Sequence, residues 1–277
     1  MAGELRFHHW KRSTAAKGAT FEPATGRLRG HVDLTLSELV SSGRLPESQS
    51  LPFDLMGPAD VAGLRPGAVT HTYPAPGAAD VEVTKSPYAE FAEPDLPWRY
   101  TVDPFPQVQT AGNRPWLVLV VGTTEEMWLG RGTVTFTGTV VGGDPPLDLD
   151  QSARWVHVQA YNNQEVARLL CPRKLKPSHD YLAVIVPAYK EDGTNSWDVQ
   201  SIDEDQPVTI AAYYWWHFRT TDTTKDFRIL ATDILPRPVA PENRIGVAPL
   251  AYYTDDTRQP ALLEVGGALT TPAPTPP

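Results

Sequence analysis

Stretches of period-two alternation and short apolar runs recur along the chain, so strands dominate the prediction. The longest apolar run, Trp116-Leu-Val-Leu-Val-Val121, is rich in β-branched residues and bounded by Pro115 and Gly122. It is too short to cross a bilayer and predicts a central strand buried on both faces. Ahead of it, Glu93 to Pro115 sets Pro97-Trp98 and Pro115-Trp116 on either side of a proline-punctuated loop. Each indole brings a large apolar area and one N–H, and a preceding proline restricts its backbone, so Trp98 and Trp116 are expected as rigid core anchors.

Elsewhere, Leu5 to Trp10 predicts a short strand, and Arg27 to Leu36 a longer one with Leu28, Val32, Leu34 and Leu36 on one face. Gly30 interrupts that face, as at a bulge or a close approach. Residues 43–67 carry Pro46, Pro52, Pro58 and Pro66 and predict an extended connection anchored by Phe53, Leu55 and Leu64. Val69 to Tyr73 predicts an edge strand, Thr133 to Val141 a strand broken by Gly138, and Trp155 to Tyr161 another strand. Asn162 or Asn163 is expected to cap a helix over 163–170 that Pro172 ends. Tyr181 to Tyr189 predicts a buried strand with Pro187 marking an edge or bulge, and Asp192-Gly193 a hairpin turn. In Tyr213-Tyr-Trp-Trp-His-Phe218, strand geometry puts Tyr213, Trp215 and His217 on one face and Tyr214, Trp216 and Phe218 on the other, both expected to be covered. A helix is predicted over 225–235, followed by an aromatic segment with Tyr252 and Tyr253, a last strand over 261–269, and a proline-rich tail.

The resulting fold class is mainly β, a β-sandwich-like or mixed β-sheet core with two short helices at 163–170 and 225–235 and long proline-rich loops. Residues 1–237 are expected to form the globular region, with a sub-boundary near 75–90, and 238–277 a proline-rich arm and tail. That arm has too much apolar surface for a pure linker and too little regular structure for its own core.

Composition narrows the function. The 28 prolines and 20 glycines are spread among 41% hydrophobic residues, which describes a loop-rich globular chain. A net charge of −9 argues against nucleic acid or an anionic membrane as partner. One cysteine, Cys171, allows no internal disulfide and suits a reducing cytosol. No secretory signal and no membrane span is expected, and the predicted location is cytoplasmic.

Candidate chemistry is sparse. Asp192-Gly-Thr-Asn195 and Asp144, Asp148 and Asp150 read as turns, the Asp203-Glu-Asp205 run as solvated loop, and Cys171 as a packing thiol. His8 and His9 would point to opposite faces of a strand. No cofactor, no metal and no catalytic residue is expected, because the known nucleophile, phosphate and dinucleotide motifs are missing. The aromatic run at 213–218 leaves a sugar-stacking platform open, with Trp215 and Trp216 at its centre. A hydrolase built around His157, His179 or His217 is the third alternative.

Several blocks carry a resemblance. Asp95-Leu-Pro-Trp-Arg-Tyr-Thr101, Arg114-Pro-Trp-Leu-Val-Leu-Val-Val121, Leu169-Leu-Cys-Pro-Arg-Lys-Leu175, Val186-Pro-Ala-Tyr189, Trp216-His-Phe-Arg-Thr220, Asp226-Phe and Leu-Pro-Arg237 resemble, in this order, a family of uncharacterised proteins associated with phage-tail-like extracellular contractile injection systems. The resemblance spans residues 90–237 and leaves the N-terminal third unmatched. It implies a non-enzymatic structural or assembly subunit of such a particle, at the baseplate or cap end, multimeric in assembly and partnered by other particle subunits. Trp98, Trp116, Trp215, Trp216, Tyr252 and Tyr253 are the expected core or contact residues.

Overall fold

The computed structural model describes residues 5–8, 18–36, 47–102, 113–162, 164–203 and 206–222, and the backbone of 247–254 and 259–266. The chain divides into two compact units, Met1–Thr224 and Lys225–Pro277. The fold is mainly β, and every ladder between its strands is antiparallel.

In the first unit, β1 (Arg6–His8), β10 (Val156–Tyr161), β11 (Gln164–Leu170), β6 (Tyr88–Phe91) and β5 (Val69–Tyr73) form a five-stranded sheet in that order. Its inward residues, among them Ala89, Phe91, Val156, Val158, Ala167 and Leu169, are buried, and their neighbours along each strand are more exposed. A second sheet runs β14 (Tyr214–Arg219), β12 (Asp180–Pro187), β7 (Leu117–Thr123). All of β7 and all of β12 except Asp180 are buried, which is why both read as unbroken apolar runs. The middle strand is β12, so the Trp116–Val121 run is flanking rather than central. A third sheet runs β13 (Val208–Ala211), β9 (Thr133–Phe136), β8 (Met127–Leu129). Buried residues of all three sheets belong to one hydrophobic core.

A three-stranded ribbon, β2 (Thr20–Glu22), β3 (Arg27–Leu36) and β4 (Glu47–Leu55), completes the unit. Leu28, near its root, is 1% exposed, and Gly30 exists for Phe53: a Cβ there would meet the ring at 2.6 Å. Further along the same face, Val32, Leu34 and Leu51 are 47%, 49% and 42% exposed.

Four further expectations need correction. Residues 164–170 are β11, not a helix: Tyr161 pairs with Gln164, and Asn162 takes a left-handed φ of 48° as the chain turns into the hairpin. The connection at 43–67 contains β4, because Pro52, opposite His31, is tolerated in a strand lying at the margin of its sheet. The strand expected over 133–141 stops at Phe136, and Gly138–Val141 forms one helical turn, α1, that buries Val140 and Val141. The aromatic run is covered on one face only: Trp216 and Phe218 are 3% exposed, whereas Trp215 is 51% exposed and His217 is exposed.

The second unit contains the ribbon of β15 (Val247–Thr254) and β16 (Gln259–Gly266), in which Tyr252 pairs with Ala261 and Tyr253 with Pro260. The predicted aromatic segment and last strand are therefore partners. The helix expected over 225–235 and the tail after Gly266 lie outside the described residues.

Candidate functional site

The residues singled out by the sequence converge first on a hydrogen-bonded centre. A 3-10 turn at Leu96–Trp98 buries its three side chains and turns its carbonyls toward β7. The Trp116 indole donates to the Leu96 carbonyl at 2.6 Å, its backbone N–H donates to Pro97 at 2.8 Å, and the Trp98 indole donates to Asn113 at 2.9 Å. Thr101 Oγ1 donates to the Arg114 carbonyl at 2.8 Å, and Ala188 N–H to the Trp116 carbonyl at 2.7 Å. Tyr100 meets the Trp116 ring edge-on at 5.0 Å between centroids, an attractive geometry for aromatic pairs. Trp98 and Trp116 are 1% and 0% exposed, so each buried indole N–H has the partner its burial demands.

The charged residues of this centre are also held by neighbours. Arg173, 8% exposed, donates to both Glu126 carboxylate oxygens at 2.8 Å and to the Val121 carbonyl at 3.0 Å. Burial pushes the Glu126 carboxyl up, but hydrogen bonds from Arg173 and the Thr123 N–H outweigh it and hold the group below its ordinary value. Arg99 is gripped by Asp95 and Glu93, and Arg65 also reaches Glu93. Arg114 donates to Asn195 at 2.6 Å, pairs with Asp150 and lies over the Tyr189 ring. Cys171 is fully buried, and burial pushes its thiol up to about 11, so it stays protonated and packs as a small apolar group.

The histidines are dispersed. His157 packs against Phe7 in the five-stranded sheet, His8 lies 3.6 Å from Glu165, His179 bonds the Pro177 carbonyl through its ring, and His217 is on β14. Among the described residues, no three His, Cys, Asp or Glu side chains are grouped as metal ligands. Asp192-Gly193 forms the predicted turn: Gly193 has a φ of 82° and the Asp192 carboxylate accepts from Thr194 N and Oγ1.

What remains exposed is of a different kind. The ribbon presents Val32, Leu34 and Leu51, β14 presents Trp215, and β8 presents Trp128 at 48% exposure. Sequence reasoning missed Trp128, although it lies between Met127 and Leu129 in a strand whose alternation would have turned it outward. Trp128 is in register with Thr135 and Thr209, whose hydroxyls bond each other at 2.9 Å.

Concavities lie among these elements. One of about 760 Å3 is bordered by Arg6, His8, Pro94, Tyr161 and Glu165. Another, about 280 Å3, lies beside the 3-10 turn Pro58–Asp60, and one of about 180 Å3 touches Arg65, Arg99 and Trp116. Compared with family models, curated proteins and solved structures, the chain matches none. Function must therefore be inferred from which groups are buried and which are presented. Charged groups of the core have partners in it, whereas several large apolar side chains face outward.

Proposed function

We propose that this chain is a non-enzymatic structural subunit of a contractile phage-tail-like injection particle, at its baseplate or cap end, assembled in the cytoplasm through contacts with other subunits. The observation that supports this most is where the resembling blocks lie. Residues 95–101, 114–121 and 186–189 hydrogen-bond one another around Trp116, Arg173 of 169–175 bonds Val121, and Trp216 to Arg219 pairs with β12. The blocks thus serve the fold itself, as expected of a shared scaffold rather than of a shared reaction centre. The exposed apolar face of the β3–β4 ribbon adds to this, because grouped apolar side chains in water mark contact surfaces. No described helix is long and apolar enough to cross a membrane.

Negative-stain imaging of particles from cells with and without this protein tests the proposal. Particles lacking it should lose one terminal feature or fail to assemble, and unchanged particles would refute the assignment. The second reading, a carbohydrate-binding surface, is favoured by one observation, the exposure of Trp215 on β14. Saturable binding to a glycan array that Trp215→Ala abolishes would favour it.

A further inference from the structure

The groove of about 280 Å3 is lined by Pro58, Val61, Pro187, Ile210, Ala211 and Tyr213, which come from the turn at 58–60, the end of β12, and β13 with the residues after it. Its volume of about 280 Å3 falls just below the range of ligand sites, about 300–1,000 Å3, so it suits part of a short segment rather than a folded domain. Three hydroxyl-bearing side chains border it: Tyr213 Oη donates to the Val61 carbonyl at 3.1 Å, Ser196 Oγ donates to the Pro187 carbonyl at 2.8 Å, and the Tyr189 ring is stacked beneath Arg114. Lys190 and Glu191, both exposed at its margin, offset each other in charge. The lining between these margins is mostly apolar and favours a ligand with few hydrogen-bond donors and no charged side chain.

We propose that the groove binds a proline-rich segment without charged side chains, in the polyproline II conformation, supplied by residues 270–277 of a neighbouring copy of this chain. That segment, Thr-Thr-Pro-Ala-Pro-Thr-Pro-Pro277, has four prolines and no charged side chain. Each proline lacks the N–H that would otherwise need a partner on burial, so the shortage of free acceptors costs it little. Its restricted backbone loses little entropy on docking, which is how proline-rich segments bind grooves walled by aromatic and apolar side chains. Eight residues at about 3.1 Å each extend about 25 Å, enough to cross a groove of this size. Only the supply by a neighbouring copy rests on the assembly reading. The chemistry of the groove is independent of it.

The test is a titration of the full chain, and of a chain ending at Gly266 that retains every described strand, into a fluorescein-labelled peptide of residues 268–277. Anisotropy should rise to saturation, most clearly with the shortened chain, whose groove no tail of its own can fill. Replacing all four peptide prolines by Ala, which leaves the protein untouched, should weaken binding at least about tenfold. Ala59→Arg and Ala211→Arg, each placing a charged side chain at the groove, should weaken it similarly without altering the thermal melt. No saturable binding of the shortened chain up to about 1 mM, equal binding of the proline-free peptide, or unchanged binding by both variants would overturn the proposal. A chain that enters particles normally yet binds no peptide would remove the groove assignment and leave the assembly reading standing.

Discussion

Gly122 lies inside β7 where neighbouring side chains leave no room: a Cβ there would meet Met127 Sδ at 2.4 Å and Val140 Cγ2 at 3.0 Å. Because both neighbours belong to the buried core, Gly122→Ala should destabilise the first unit by about 1–3 kcal/mol in urea denaturation. In the sequence Gly122 looked only like the end of an apolar run, since the neighbours that exclude a side chain arrive from elsewhere in the chain. Trp98 and Trp116 were legible because size, a preceding proline and a β-branched run all indicated burial. Glu126 was not, because its partner Arg173 is remote in sequence. Its depressed folded-state value fixes the sign of a pH effect: the Glu126 contribution is complete above the ordinary carboxylate value of 4.5 and is lost as pH falls through the lower folded value. The Glu126→Gln variant should therefore be less stable than wild type at neutral pH, with the gap narrowing on acidification. A gap that stays constant with pH in denaturation curves would contradict this.

Along β3 a single face carries two environments. Leu28 is buried at the root, whereas Leu34 on the same face is half-exposed. Leu28→Ala should cost about 2–5 kcal/mol and Leu34→Thr no more than about 0.5 kcal/mol, measured by chemical denaturation. Comparable losses at both positions would mean that the distal ribbon is packed. Period two made β3 and β10 legible, an unbroken apolar run did so for β12, and of the two readings of Gly30, a bulge or a close approach, the close approach holds. The partner β4 was hidden by Pro46 and Pro52, which look like loop until a sheet margin is available to accept them. At 162–170, asparagines that can cap a helix can also adopt the left-handed turn of a hairpin, and Ala167 and Leu169 facing the core decided for the strand. The 280 Å3 groove had no sequence pattern at all, because its walls come from three stretches far apart in the chain.

For the whole molecule, internal contacts divide the chain after Thr224. A chain ending at Thr224 keeps all three sheets, the ribbon and the shared core, so it should show one cooperative thermal transition by circular dichroism. Loss of that transition would place residues 225–277 in the folding unit. The mainly-β architecture was legible because alternation is local. The account's central claim is that this chain is a stoichiometric component of a particle. Quantitative mass spectrometry of contractile particles purified by density gradient from producing cells tests it most directly. The account predicts that the chain co-sediments with the tube and sheath proteins at a fixed ratio across every particle fraction. Absence from those fractions, or a ratio that varies independently of the particle, would contradict it.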